Sequence, residues 1–489
     1  MSQSRLQTDD LTTDIDLAEG VWRHEYASVA IPGSEDDALN KLQSGGVIQA
    51  VFPLVSTDES LFVASSEAIQ TALELARNWK TNPLFYNALW WKVQLYGQTS
   101  KRFLVVGGNF TELTGMAGDP FYESNVRRAN LVLYLHVAPA ENNLPRTEGA
   151  LSTYVPGVGG GYFPAMATPT YADESEVGGL AISALGGTLQ LAGKGTRPGR
   201  IALLEVINNN AADLGEIWLG LKSTRAEAGA ASTFDPSLTD VTGVSGTPYT
   251  FSSGGAGENT YGQQTVTHNS GAWGSCSYVS VLGGGGTASH MIGTYLMLLR
   301  YQVSAVSTAN VTIRVRSRYT TNSAFDTTFI TQSPVYKTVD TMANWGLLPL
   351  GILRYPHLGS RQDILTRSVY IQLQANMITS GDTATMRWNR ILLVPIPYIY
   401  VSGASLGQGA ADRTVFLTHP DDRQECFTLN GYGVEYEPTV EIQPNFYLPV
   451  EGAVLSIVAA RSLTNQNSAD TVDAGMVIYD RYMSHKGDG

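Results

Sequence analysis

The stretch most suggestive of chemistry is Gly403-Ala404-Ser405-Leu406-Gly407, a Gly-x-Ser-x-Gly run followed by Asp412 and His419 in the chain order of a hydrolase triad. Such a triad needs its serine on a tight strand-to-helix turn, with an oxyanion donor at the start of the helix. Here Gln408-Gly409-Ala410 follows without helical periodicity, and all three side chains fall in one short stretch instead of on separate loops. A glycine-rich linker is expected, and no catalytic residue is assigned. Gly193, Gly195 and Gly199 approach a dinucleotide fingerprint, but the last spacing is one residue too long. A strand-like run from Ile201 also stands where a helix N-terminus should hold the pyrophosphate. Gly283 to Gly286 lacks the Lys-Ser/Thr of a phosphate loop.

Seven histidines, at 24, 136, 268, 290, 357, 419 and 485, show no metal-ligand spacing. His419-Pro420-Asp421-Asp422 offers oxygens to a hard cation, although aspartate-rich turns after proline are common without one. No metal or cofactor is assigned. Cys276 and Cys426 are too few for a disulfide scaffold or a four-thiolate zinc site and read as free thiols.

Binding residues are easier to nominate. Arg314, Arg316 and Arg318 share one face of a strand, with Arg300 expected on a neighbouring strand. They suit an anionic sugar or an adjoining subunit, or form an ordinary solvated sheet face. Tyr249, Tyr261, Trp273, Tyr278 and Trp345 sit in or beside expected loops, where aromatic rings stack on sugars or plug the ends of a sandwich. The candidate glycan or subunit contacts are Trp273, Tyr278, Trp345, Arg314, Arg316 and Arg318.

The elements that must position these residues are nearly all strands. One amphipathic helix is expected near 59–80: Ser56-Thr57-Asp58-Glu59 reads as a capping box, and Ile69, Leu73, Ala76 and Trp79 recur at helical spacing before Asn82-Pro83. Elsewhere apolar and polar residues alternate, as in Leu131 to His136, Val311 to Tyr319 and Val369 to Gln374. The fold class is therefore mainly β, with β-sandwich or jelly-roll domains and a helix in the N-terminal part. Four units are expected. Residues 1–140 form a β domain with the helix. Residues 141–224 form a Gly/Pro/Ser-rich arm and a β-hairpin turning at Asn208-Asn209-Asn210. Residues 225–400 form a jelly-roll sandwich with a long loop from Gly243 to Ser275, and residues 401–489 form a C-terminal β extension packing on the N-terminal part.

Composition narrows the class. Of 489 residues, 43% are hydrophobic, enough for packed cores, while charged residues make up only 15% against a usual ~25%. With 44 acidic and 31 basic side chains, the net charge of −13 disfavours a general phosphate-binding surface and hence specific nucleic-acid binding. The longest apolar run, Ile391 to Val401, falls short of the ~20 residues of a bilayer span and carries two prolines. The polar, acidic N-terminus has no apolar region of a signal peptide, so synthesis in a cytoplasm without membrane insertion is expected.

Several runs, taken in order, resemble the tail-tip proteins of tailed bacteriophages. They are Leu73-Glu-Leu-Ala76-Arg77-Asn-Trp79, Trp91-Lys-Val-Gln94-Leu95, Arg102-Phe-Leu-Val-Val-Gly107-Gly108, Asp119-Pro120, Leu131 to Leu135, Arg200-Ile201-Ala202, Trp218-Leu219-Gly220, and Asn445 to Gly452 ahead of Tyr479-Asp480-Arg481. The resemblance covers about half of the chain in pieces and lies in the order of the motifs. It implies a distal tail or baseplate-type virion protein carrying a lectin-like jelly roll, with no catalytic residues. It further implies a ring-like homo-oligomer, other virion proteins (tail tube, hub or fibre) as partners, a host-surface glycan as a ligand of the sandwich, and synthesis in the host bacterial cytoplasm. Other expectations are a capsid decoration, cement or head-fibre protein, a stand-alone carbohydrate-binding module, and a glycan hydrolase. The last would need two carboxylates ~5–10 Å apart, for which Asp326, Asp363 and Asp382 are available in the sandwich.

Overall fold

In the computed structural model the described residues form antiparallel strands and one helix. The first part holds β1 (Gln3–Thr8), β2 (Asp14–Asp16), β3 (Ser28–Ala30), β4 (Val47–Ser56), α1 (Glu59–Asn78), β5 (Leu89–Gln94), β6 (Lys101–Leu113), β7 (Arg127–His136), β8 (Ala140–Asn142) and β9 (Arg146–Gly149). Then come β10 (Ile182–Ser183), β11 (Leu185–Leu191), β12 (Arg197–Asn208) and β13 (Leu214–Ser223). The middle holds β14 (Ser237–Leu238), β15 (Thr250–Ser252), β16 (Tyr261–Thr267), β17 (Gly274–Ser280), β18 (Gly293–Ala305), β19 (Val311–Thr320), β20 (Val335–Val339), β21 (Gly346–Tyr355), β22 (Ser368–Met377) and β23 (Thr383–Pro395). The last part holds β24 (Tyr398–Leu406), β25 (Arg413–Thr418), β26 (Gln424–Leu429), β27 (Glu435–Tyr436), β28 (Thr439–Ile442), β29 (Ala453–Ala460) and β30 (Thr471–Tyr482). The structure describes these residues and the connecting residues 13, 17, 88, 100, 192–196, 209–213, 268, 342–345, 378–382, 396–397, 407–409, 412, 419–423, 446–452, 461–467 and 470.

The base of the molecule is a sandwich. Strands β30, β12 and β25 of the large sheet (β2-β1-β5-β6-β8-β30-β12-β25-β26-β27) face the five-stranded sheet β11-β29-β13-β24-β28. Ile201, Leu204, Phe416, Met476 and Ile478 from one sheet interdigitate with Ile217, Leu219, Val401, Leu455 and Ile457 from the other. Each such side chain withdrawn from water contributes about 1.5–3 kcal/mol before the entropy of ordering it is charged against it.

This base is assembled from two distant stretches of chain, and β14 to β23 are inserted between β13 and β24. The insert is a second sandwich. Its six-stranded sheet, β15-β16-β23-β18-β21 with β14 on β23, faces the four-stranded sheet β17-β22-β19-β20 over a core of Tyr295, Met297, Leu299, Val311, Ile313 and Met377. The outer face of the six-stranded sheet packs on the base. There Leu296, Leu298, Leu392 and Val394 meet Trp218, Tyr398 and Val458. Four sheets are thus stacked, with apolar residues between each adjacent pair, and the four-stranded sheet lies at the end of the stack.

The N-terminal part continues the large sheet. α1 buries Phe62, Ile69, Ala72, Leu73 and Ala76 against Leu131, Leu133 and Val105. Gly108 lets the helix approach, because a Cβ there would lie 2.8 Å from Leu73 Cδ2 and 2.4 Å from the Val132 carbonyl oxygen. The helix begins at Glu59, so Ser56 closes β4 and the expected capping box is displaced. Trp79 lies outside the described residues.

Several expectations need correction. The Asn208-Asn209-Asn210 turn does not join a hairpin. β12 pairs with β25 and β30 whereas β13 pairs with β24 and β29, so the turn carries the chain across the sandwich from one sheet to the other. Asn208 makes that crossing, donating from Nδ2 to the Ala212 and Leu406 carbonyls while its Oδ1 accepts from the Asn210 amide. The arm expected over 141–200 contains β8 to β11 and the start of β12, within or beside the base. The expected loop from Gly243 to Ser275 contains β15 and β16, and the C-terminal extension supplies half of the base sandwich.

Candidate functional site

The serine motif is dismantled by its surroundings. Gly403 to Leu406 belong to β24, so the expected linker is a strand, with Gly403 at a φ of 72°. Ser405 Oγ is exposed and donates to Asp213 Oδ2 at 3.3 Å. His419 is buried, with Nε2 lying 3.2 Å from Glu425 Oε2. Serine and histidine therefore face different carboxylates. Burial lowers the His419 pKa, opposed by the charge and hydrogen bond of Glu425. In the turn after His419, Asp422 Oδ1 accepts from Arg481 Nη2, so a guanidinium occupies the place considered for a cation. Among the described residues no group of His, Cys, Asp and Glu is arranged to hold a metal ion. Gly193 and Gly195 serve close backbone approach: a Cβ would lie 2.0 Å from the Val450 oxygen and 2.3 Å from the Arg481 oxygen respectively. Asp382 lies in the turn between β22 and β23, while Asp326 and Asp363 lie outside the described residues.

A charged network missed in the sequence crosses the seam between the N-terminal part and the base. Glu141 on β8 is paired with Arg102 on β6 and with Arg481 on β30. Its buried carboxylate accepts from Arg200 Nε at 2.6 Å and Nη2 at 2.8 Å, from Arg102 Nη2 at 3.1 Å and from Arg481 Nε at 3.3 Å. The Arg102 guanidinium lies between the rings of Trp90 (3.8 Å) and Tyr479 (3.9 Å), and Arg200 lies on Tyr479 at 4.7 Å. Burial alone would raise the Glu141 pKa. Arg200, then Arg102 and Arg481, outweigh it and hold the carboxyl far below the usual range. With its groups withdrawn from solvent, this network holds two parts of the fold together. Arg102 and Arg481 stand at the ends of strands with polar neighbours (Lys101 and Asp480), so their types gave no sign of a shared buried partner.

The candidate contact residues separate into two groups. Trp345 faces the base: its half-buried ring lies 4.6 Å from the guanidinium of fully buried Arg300, and its carbonyl accepts from the Gln466 amide at 2.6 Å. Arg300 Nε donates to Gln466 Oε1 at 2.6 Å. Arg300 is not a neighbour of the arginine strand, because β18 pairs with β21 and β23 in one sheet while β19 pairs with β20 and β22 in the other. The residue instead lies on the face of β18 turned toward the base, where the β29–β30 connection supplies its partner. Trp273 lies outside the described residues.

Arg314, Arg316, Arg318 and Tyr278 come together in the four-stranded sheet. Val311 and Ile313 are buried in the insert core, and their partners Met377 and Ala375 are buried with them. By the two-residue period, the alternate positions 312, 314, 316 and 318 take the opposite face. Across that face the register places Arg314 beside Tyr336 and Gln374, Arg316 beside Gln372, and Arg318 beside Tyr370. On the far side of β22, Tyr278 is paired with the same Gln372, and Ser280 with the same Tyr370. Tyr278 was expected near a loop and lies within β17. The alternation of Tyr370, Gln372 and Gln374 was legible, but not their place between β17 and β19.

No family model matches the chain, and no curated protein matches it. Among solved structures, 17 chains match. They include the infectious bursal disease virus VP2 subviral particle, at 10% identity and a TM-score of 0.18, covering 62% of this chain and 78% of that one. The T13 IBDV viral particle matches at 8% identity and a TM-score of 0.17 over 62% and 78% of the two chains. Particles of T=1 symmetry derived from infectious bursal virus match at 10% identity and a TM-score of 0.16 over 63% and 76%. Superpositions of this quality carry neither a fold nor a role to this chain.

Proposed function

We propose that the chain is a structural subunit of a virion, a distal tail or baseplate ring component of a tailed bacteriophage whose inserted sandwich is presented outward for attachment to host glycan. The observation that carries this reading is the nested architecture: a base sandwich closed by both flanks of the chain, tied to the N-terminal part through one continuous sheet, with a second sandwich stacked on it. A base built this way suits the wall of an assembly, and the inserted sandwich, stacked on the base, is the part assigned to an external partner. The order of the tail-tip-like motifs from Leu73 to Arg481 supports the same reading. Its partners are further copies in a ring and neighbouring virion proteins.

Light scattering of the purified chain, with negative-stain images of the same fraction, tests it. Closed rings, or a species that assembles only with other virion proteins, support the tail reading. Binding to assembled heads would transfer the subunit to capsid decoration. A strict monomer at high concentration that joins neither would overturn the structural role and favour a stand-alone carbohydrate-binding module.

A further inference from the structure

From the seam where β6, β8 and β30 meet we infer that Lys101 and Asn142 are the two halves of an intramolecular isopeptide bond, in which Lys101 Nζ replaces the amide nitrogen on Asn142 Cγ and ammonia leaves. The bond braces the N-terminal part covalently to β8 and does not depend on the virion reading.

The pairing is the first argument. Lys101 stands directly opposite Asn142, one residue along from the Arg102–Glu141 pair. Successive residues of a strand project to opposite faces, so lysine and asparagine lie on the face turned away from the Glu141 network. Nζ is 2.6 Å from Asn142 Oδ1, one bond from the carbon under attack. Burial is the second argument. Lys101 is 1% exposed, although lysine is almost never fully buried. The Tyr482 ring lies 3.2 Å from Nζ, and the Tyr482 hydroxyl accepts from Asn142 Nδ2 at 3.4 Å, which holds the amide with its oxygen toward the amine. Two groups held this way react as one molecule, with the entropy of their encounter already lost in folding. The third argument is a carboxyl group in the same row. Arg481 is paired with Glu141 and Tyr482 with Ala140, so the antiparallel register continued by one residue sets Asp480 beside Asn142. Asp480 shares a face with Tyr482 and is buried, at 5% exposure.

An amine, a carboxamide and an acid–base group are what the reaction requires, and one bond forms as one breaks. Lys101 gives a proton to Asp480, the freed lone pair attacks Asn142 Cγ, and the carbonyl electron pair moves onto Oδ1. The carbonyl then reforms as the Cγ–Nδ2 bond breaks. In all, Nζ loses two protons and Nδ2 gains two. The products are an amide and an ammonium ion, Asp480 ends as it began, and no oxidant or reductant takes part.

The test is mass spectrometry of the full chain, denatured after incubation at mildly alkaline pH. The intact mass should fall below that of the sequence by one ammonia, and trypsin should release a branched peptide joining residues 93–102 to residues 129–146. A succinimide at Asn430-Gly431 loses the same mass but leaves those two stretches unjoined. Lys101→Arg and Asn142→Ala should each prevent the branch. Asp480→Asn should slow its appearance about a hundredfold in protein whose thermal transition shows it folded, and a parental rate would overturn the role given to that carboxyl. Full sequence mass, ammonia loss without the branched peptide, or a branch that survives in K101R or N142A would each overturn the inference. If the variants do not fold, the peptide map of the parent chain decides.

Discussion

Glu141 and Arg200 are joined by two parallel hydrogen bonds across 59 residues of chain, Nε to Oε1 at 2.6 Å and Nη2 to Oε2 at 2.8 Å. With Arg102 and Arg481 on the same carboxylate, one buried anion holds three guanidinium groups. Removing that charge leaves buried cations uncompensated, which costs about 3–5 kcal/mol. Glu141→Gln is therefore expected to lower the midpoint of denaturant unfolding, with the N-terminal part loosened first. An unchanged midpoint in urea titrations would show that the network contributes nothing net.

The same groups set the response to acid. Both Glu141 and His419 have folded-state pKa values below their unfolded ones, so in each case the unfolded chain binds more protons as the pH falls. The His419 contribution, with Glu425, Arg423 and Asp421 around it, is complete above its unfolded value of about 6.5 and declines below it. The Glu141 contribution is complete above about pH 5 and declines as the pH falls through the usual carboxylate value of about 4.3 toward its much lower folded value. Unfolding curves at stepped pH should show stability falling in two windows. H419Q should remove the upper one and E141Q the lower.

Trp345 should matter for stability. Its ring covers Arg300, and the neighbouring backbone is held by the β29–β30 connection through Gln466 and through Leu463, whose carbonyl accepts from the Leu347 amide at 2.8 Å. Trp345→Ala is expected to cost on the order of 2 kcal/mol. Calorimetric melting of the variant beside the parent chain measures it.

The thiol of Cys426 should be inert in the folded protein. Burial pushes its pKa up to about 12, and the thiolate is the reactive form. In a C276S background, an aromatic disulfide reagent at pH 8 should label nothing before unfolding and one thiol after it. Rapid labelling of native protein would show that β26 opens readily.

Deletions separate the arm from the base. Removing residues 141–200 takes away Glu141, Arg200 and β11, and no folded product is expected. Removing only 151–181 spares every described strand. If that segment drapes over a neighbouring copy, the shortened chain should melt like the intact one yet sediment as a monomer. Retained oligomers would assign self-association to another surface.

Much of the local structure was legible before folding was considered. The stripe Ile69, Leu73 and Ala76 predicted a helix that buries those residues, because a 3.6-residue period leaves one face for the core. The alternation at Val311 to Tyr319 predicted a two-faced strand for the same kind of reason, with a period of two. The missing helical pattern after Gly407 argued against a nucleophile elbow; in the structure that stretch is strand, and Ser405 donates to Asp213.

Alternation assigns a residue to a face but says nothing about which strand will lie alongside. The Asn208 turn therefore read as a hairpin when it crosses between sheets, and Arg300 read as a neighbour of Arg314 when their strands belong to opposite layers. Only the tertiary structure placed β22 between β17 and β19, which brings Tyr278, Gln372 and Arg316 into one row. It alone gathered Arg102, Glu141, Arg200 and Arg481 around a single buried charge. Periodicity is a property of a few neighbouring residues and is written in them, whereas pairing is settled by burial and hydrogen bonding across the whole chain, where hundreds of residues separate the partners.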